Sequence, residues 1–465
     1  MSSFLSKTLK GDRYVWFVYI ALIVISIIEM FSASSFLVSR SGSISAPIMR
    51  HIQFIAGGFV LMLIVQLIDF KYMRLGGYAL WAISIVLLLY TLVAGVEQAG
   101  SSRFLNLAGF QFQPSELAKI SLVIVIADQI ERMQQRDYQM KYYWFVAAGI
   151  GITCLLIFFE NLSTAALLFI TTMTMMLIGE VSWKKLAATL GVVVVGLSIV
   201  LVIASVIPEE VYRESDNKII GLFDRAYTWV ARFENFAGGE EVDKYKITDK
   251  NYQVAHAQIA IARGGFLPHM PGSSVQRDFL PEAFSDYIFA IIVEEGGFFM
   301  GVAVIILYLI LLFRAYKVAQ KSSSLFCAIL VIGVSLLIVF QALMHVCVSV
   351  DMMPVTGQPL PLVSRGGTSM LINCLYFGVI ISITRSIISA DERKQREAAA
   401  AVVAVPTESQ AAVARSVDDT IGNGTAAQPA TGTSAADDDN LIIETECDTR
   451  QSSGADDDII TTIEQ

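Results

Sequence analysis

Long apolar runs separated by short polar ones constrain this chain more than any other feature. A membrane-crossing helix needs roughly 17–25 mostly apolar residues, and lipid offers an open backbone no hydrogen-bond partners. Ten segments meet that length, at 14–37, 51–70, 77–96, 114–131, 143–159, 164–180, 186–207, 285–313, 325–348 and 367–388. The pattern predicts an all-α polytopic membrane protein with about ten transmembrane helices. Only 16% of residues are charged, where soluble domains carry about 25%. The N-terminal MSSFLSKTLKGDRYVWF runs into the first apolar stretch without a clear cleavage site. It reads as the start of a first span and not as a removed signal peptide.

Basic residues fall in alternate loops: Lys7, Lys10 and Arg13, then Lys71 and Arg74, then Arg132, Arg136 and Lys141, then Lys184 and Lys185, then Arg314, Lys317 and Lys321. By the positive-inside rule these loops and both termini are cytoplasmic. The opposite side holds one large extracytoplasmic loop, 208–284, between spans 7 and 8. Within it YQVAHAQIAIARGGF (252–266) has the pattern of a short amphipathic helix. From 391 to 465 the chain turns polar, with 16 acidic and 5 basic residues. That tail carries −11 of a total of −9, so residues 1–390 carry about +2 and the acidic balance describes the tail alone. Such composition predicts an acidic, disordered cytoplasmic tail behind a membrane domain of residues 1–390. Five cysteines, Cys154, Cys327, Cys347, Cys374 and Cys447, form no CxxC pair and suggest neither a disulfide framework nor zinc. P-loop, GxGxxG and HExxH patterns are lacking, and nothing points to nucleic acid.

Ionisable groups within a membrane are expensive and point to function. In SSRFLNLAGFQFQPSELAK (101–119) Pro114 suits the first turn of a span. Glu116 and Lys119 follow at i and i+3 on one face. They form either a packing ion pair or a cation, with Arg103 nearby, that holds an anionic group. In RDFLPEAFSDYIFAIIVEEGG (277–297) Asp286 stands at the outer start of a span. A carboxylate there is either a helix cap or a general base, with Glu282 close by. Glu294 would share its face about 12 Å deeper, at 1.5 Å per residue; Glu294 and Glu295 read equally as buried structural acids. In VDMMPVTGQPLPLVSRGGTSML (350–371) three prolines and three glycines cannot continue a helix. Irregular backbone at that depth either packs a re-entrant turn or lines a cavity. Ser364 and Arg365 lead into the last span, whose first N–H groups could meet an anion. Glu29, followed by Ser32, Ser34 and Ser35, reads as polar glue between helices.

Taken in order, FQPSELAK (112–119), STAALLF (163–169), FLPEAFSDYIFAIIVEEGG (279–297) and PVTGQPLPLVSRGGTS (354–369) resemble the SEDS family of peptidoglycan glycosyltransferases, which includes RodA and FtsW. The resemblance covers about 14–388 and leaves out the tail. It implies ten spans and a polymerase of lipid II, the lipid-linked cell-wall precursor. It also implies a class B penicillin-binding transpeptidase as partner, and other division-complex membrane proteins and membrane lipids as surroundings. The family's essential Asp maps onto Asp286, and its Glu and Lys map onto Glu116 and Lys119. Departures are Phe284 and Ser285 where the family has His and Thr, Glu160-Asn161-Leu162-Ser163-Thr164 for Pro-Asp-Leu-Gly-Thr, and Arg365 where it has Tyr. The ARGG at 262–265 and the long tail lean towards the FtsW type, hence towards the division septum of the bacterial inner membrane.

The implied reaction has an acceptor 4-hydroxyl attack the donor's anomeric carbon with inversion, as undecaprenyl pyrophosphate leaves. Asp286 is the expected base. Lys119, Arg103 and Arg365 are expected to face the pyrophosphate, with Glu116, Ser364 and Glu282 beside the substrate. A divalent cation, Mg or Mn, is the one cofactor expected to help; its ligands are unassigned. The rivals are a lipid II flippase built on the same cavity, and an elongation polymerase of the RodA type. A flippase would show paired broken helices in inverted repeats, which the sequence does not display.

Overall fold

The computed structural model describes residues 10–33, 45–94, 96–98, 101–107, 110–135, 140–206, 247–248, 251–280, 283–365 and 367–404. Its helices are α1 (Arg13–Ala33), α2 (Ser45–Val65), α3 (Phe70–Ala94), α4 (Pro114–Gln135), α5 (Met140–Glu160), α6 (Leu162–Ile178), α7 (Trp183–Val206), α8 (Tyr252–Gly264), α9 (Ile288–Lys321), α10 (Leu325–Ser349) and α11 (Gly367–Ala404). Each expected span coincides with a long helix, and the expected amphipathic segment is α8. Among the described residues seven helices are long and apolar enough to cross a membrane. Contacts divide the chain at Glu397 into two units, 1–397 and 398–465; residues 405–465, the bulk of the expected tail, lie outside the described part. α11 continues beyond 388 because DERKQREAAAA consists of strong helix formers and adds an Arg393–Glu397 pair at 2.9 Å.

At the centre stands α4. Pro114 opens it, Glu116 sits in its first turn and Arg132 in its last, as the helix dipole favours. Almost every residue from Pro114 to Met133 is buried, against α3, α5, α6 and α10. Its charges are answered inside the protein. Asp128 meets Arg74 of α3 at 3.2 Å and Arg132 at 2.7 Å, and accepts from the Tyr78 hydroxyl at 2.6 Å. Glu131 also pairs with Arg74, and accepts from the Ser324 hydroxyl at 3.0 Å and the Phe326 N–H at 3.1 Å. This network ties the far ends of α3 and α4 to the start of α10.

Between α3 and α4 the chain forms a three-stranded antiparallel meander, β1 (Val96–Gln98), β2 (Ser101–Leu107) and β3 (Phe110–Phe112). The register pairs Leu105 with Phe112, Asn106 with Gln111 and Leu107 with Phe110. Leu105 is buried while Asn106 and Gln111 face outward, the alternation of a one-sided sheet.

α9 is two helices joined at a kink. Gly297 has φ 71° and ψ −178°, a region essentially reserved for glycine. A Cβ there would lie 2.8 Å from the carbonyl oxygens of Phe266 and Leu267. Across the kink the His269 N–H reaches the Glu295 carbonyl at 2.7 Å, and the Phe298 N–H reaches that of Gly265 at 2.9 Å. Gly264 of α8 in turn lies so close to α9 that a Cβ would fall 2.0 Å from the Val293 carbonyl oxygen. The expected placement of Glu294 behind Asp286 on one helix face is therefore corrected, since Asp286 precedes the helix and both glutamates turn to the 272–276 loop. Glu294 accepts from the Ser274 hydroxyl and the N–H groups of Val275 (3.2 Å) and Gln276. Glu295 accepts from the Ser32 hydroxyl of α1 and the N–H groups of Gly272 (2.9 Å) and Ser274 (3.1 Å). Gly297→Ala is expected to cost at least about 2 kcal/mol. Thermal unfolding in detergent checks this, and an unchanged melting temperature would contradict the kink.

Candidate active site

The site grows from the short turn that precedes α9. Leu280, Ala283, Tyr287, Ala290 and Ile291 bury themselves against Ala257 and Ala260 of α8 and Val348 of α10. This small apolar cluster, separate from the main core, fixes the turn 283–286 against α8 and α10. Asp286 lies at its end, half-buried. The residue at the N-cap of α9 is Tyr287, without a side-chain cap bond, and Asp286 stands immediately before it. Its Oδ1 accepts from the Ser285 hydroxyl at 3.1 Å.

Opposite stands the irregular loop between α10 and α11. Gly357, at φ 64°, brings its Cα so near that a Cβ there would lie 3.6 Å from Asp286 Oδ2. The loop is bonded onto the turn. Ser364 Oγ donates to the Ser285 carbonyl at 2.8 Å and accepts from the Leu360 N–H at 2.8 Å. The Arg365 N–H donates to the Phe284 carbonyl at 2.9 Å. The Arg365 guanidinium lies 5.3 Å from the Phe284 ring centre, so the phenyl ring that replaces the family's imidazole supports a cation. The N–H of Arg365 and the hydroxyl of Ser364, two residues expected beside the substrate, are spent on tying the loop down. Leu362 is held at φ 62°, strained for a bulky residue. Neighbours over-determine it: Tyr308 Oη donates to the Pro361 carbonyl at 2.6 Å and Ser26 Oγ to that of Val363 at 2.9 Å.

Glu116 and Lys119 form the ion pair their spacing predicts, at 2.8 Å, with Lys119 fully buried. Lys119 Nζ donates as well to Gln341 Oε1 of α10 at 3.1 Å, and Gln341 Nε2 donates to the Pro359 carbonyl at 2.9 Å. Lys119 thus reaches the Asp286 side of the site through Gln341 and the loop. Glu116 Oε2 is buried with no hydrogen-bond partner, an expensive arrangement. At the start of α6, Asn161 accepts from the N–H groups of Ser163 and Thr164 as an N-cap, and Thr164 Oγ1 accepts from Gln358 Nε2 at 2.8 Å. Arg103 stands on β2, but its side chain, like the whole of Glu282, lies outside the described residues. Gln341 and His345 of α10 and Gln358 of the following loop were missed by sequence reading, where they look like scattered polar residues in apolar surroundings. Among the described residues no three His, Cys, Asp or Glu side chains converge as metal ligands.

A half-buried carboxylate thus lies beside the loop between α10 and α11, and a fully buried lysine stands behind that loop among apolar helices. That combination defines a polytopic helical membrane protein with a polar site at one end of its helices. The family model described as cell cycle protein, covering FtsW, RodA and SpoVE, matches residues 12–388, and the chain belongs to that family. It is similar to the probable peptidoglycan glycosyltransferase FtsW of Halomonas elongata, 32% identical over 74% of this chain and 83% of the relative. The FtsW of Aliivibrio salmonicida is 29% identical over 81% of this chain and 90% of its own. Among solved structures the fold is similar to a chain of a peptidoglycan synthase complex described as coordinating polymerisation and crosslinking, with a TM-score of 0.59, 20% identity and coverage of 82% and 99% of the two chains. RodA of Thermus thermophilus gives a TM-score of 0.53, 20% identity and coverage of 81% and 97%.

Proposed function

We propose that this chain is a peptidoglycan glycosyltransferase that polymerises lipid II into glycan strands at the division septum. The observation that carries the reading is Asp286, a half-buried carboxylate just before α9 that accepts from the Ser285 hydroxyl at 3.1 Å and lies where a Cβ on Gly357 would stand 3.6 Å from its Oδ2. In the proposed reaction Asp286 accepts the proton of the acceptor's 4-hydroxyl as that oxygen bonds to the donor's anomeric carbon. The bond to undecaprenyl pyrophosphate breaks on the opposite face, so the configuration inverts. Negative charge grows on the departing phosphate, and Lys119 and Arg365 supply the countercharge. The relatives' printed names support the division role. A transpeptidase partner is supported by the solved complex that joins polymerisation to crosslinking. Alternation of basic loops supports cytoplasmic termini.

The experiment is direct: purified full chain with a class B transpeptidase and labelled lipid II, resolved by gel for glycan polymer. A ladder of products is expected; unchanged lipid II under conditions where the protein is folded would contradict the proposal. Deleting 405–465, which removes most of the acidic stretch and leaves α11 whole, is expected to keep the polymerisation rate within about twofold, since a stretch of that composition supplies too little apolar surface to build part of a packed site. A folded but inactive truncation would show that the tail belongs to the enzyme.

A further inference from the structure

We propose that His345 is the positioning residue of this site, a rigid spacer that sets Asp286 against the loop it faces. The inference rests on Asp286 being the base. His345 is 1% exposed on α10 and so lies behind the site. Its ring joins two backbone segments. Nδ1 lies 2.8 Å from the Gln358 carbonyl oxygen, and the Phe289 N–H approaches Nε2 at 3.4 Å. A carbonyl only accepts and an amide N–H only donates, so both partners select the same neutral tautomer, with the proton on Nδ1. Gln358 follows Gly357, where a Cβ would lie 3.6 Å from Asp286 Oδ2, and Phe289 stands three residues after Asp286. One planar ring therefore fixes the separation of the two segments between which the carboxylate sits.

Helix geometry gives the ring a second task. The first N–H groups of a helix lack intrahelical partners, and Tyr287 at the N-cap of α9 provides no side-chain bond. His345 supplies an acceptor to the first turn of α9 from another helix. Gln341, one turn earlier on α10, makes the matching bond to the Pro359 carbonyl while holding Lys119. This face of α10 is thereby tied to the loop at two successive carbonyls.

The amide variants divide the two bonds. In His345→Asn the amide nitrogen overlays Nδ1 and keeps the Gln358 bond; in His345→Gln the terminal oxygen overlays Nε2 and keeps the Phe289 bond. Lipid II polymerisation by the full chain with its transpeptidase is expected to show kcat lowered about tenfold in each, with KM within about twofold, and about a hundredfold in His345→Ala, the scale of small misplacements of a catalytic group. A purely structural histidine would lower yield and thermal stability without separating kcat from KM. Amide variants that fold normally with kcat within twofold of the unmodified protein, or with raised KM alone, overturn the proposal. D286N is measured beside them. Activity in D286N removes the base and this inference with it; inactive D286N beside unaffected His345 variants overturns this inference alone. Should no His345 variant insert, nitrogen-15 NMR of the unmodified imidazole decides: the Nδ1–H tautomer is expected, and the Nε2–H tautomer refutes the spacer.

Discussion

Protein carrying Asp286→Asn is expected to insert, purify and unfold as the unmodified chain does, and to make glycan at least about 100-fold more slowly, as loss of a general base requires. Folding is spared for two structural reasons. Asparagine keeps the side-chain size and an oxygen for the Ser285 hydroxyl, which Asp286 accepts at 3.1 Å. The N-cap residue of α9, Tyr287, is unchanged, and the asparagine oxygen can accept wherever the carboxylate did. What the amide cannot do is take a proton from a sugar hydroxyl at neutral pH. Rate measurement on matched, folded preparations checks this, and polymer within tenfold of the normal rate would remove Asp286 from the chemistry.

The second large effect concerns the buried pair. Lys119→Met keeps much of the stem's apolar packing but leaves Glu116 buried, with Oε2 already lacking a partner. Breaking a buried pair from one side costs roughly 3–5 kcal/mol, so the single variant is expected to lose yield and melting temperature. Adding Glu116→Gln removes the stranded charge, and stability is expected to return. Activity is the discriminating readout. If Lys119 supplies countercharge to the pyrophosphate, the double variant folds but polymerises poorly. Recovery of both stability and turnover would make the pair a packing device. Its depth behind Gln341 and the Pro359 carbonyl makes the lysine's influence on the outer loop partly indirect. The double variant combined with a lipid II titration therefore also shows whether kcat or KM falls.

Much of this was legible beforehand, for identifiable reasons. Spans are set by length and apolarity, local properties that a chain cannot hide, and α1 to α7 and α9 to α11 lie where those runs predict. Glu116 and Lys119 were readable because i,i+3 spacing places them on one helix face. Asp286 stood out as a carboxylate at the outer edge of a span, but its surroundings did not, because Gly357 and Ser364 reach it only through folding. His345 and Gln341 were opaque for the same reason: their partners are backbone carbonyls of a loop distant along the chain. The β-meander left a faint trace in Leu105, Asn106 and Leu107 against Phe110, Gln111 and Phe112, an alternation too short to outweigh the apolar runs around it. The kink in α9 was signalled by the Gly296-Gly297 pair, yet only the positive φ shows that the carboxylates before it serve the loop.

Chemistry at the outer face, as opposed to transport through the bundle, is the central claim. The most direct test places fluorescent lipid II only in the outer leaflet of proteoliposomes whose protein is oriented with the 251–280 segment outward, and follows polymer formation and leaflet exchange together. The account predicts polymer from the outer pool without exchange, and its loss in D286N. Exchange at an equal rate in native and D286N protein, with no polymer from either, would contradict it.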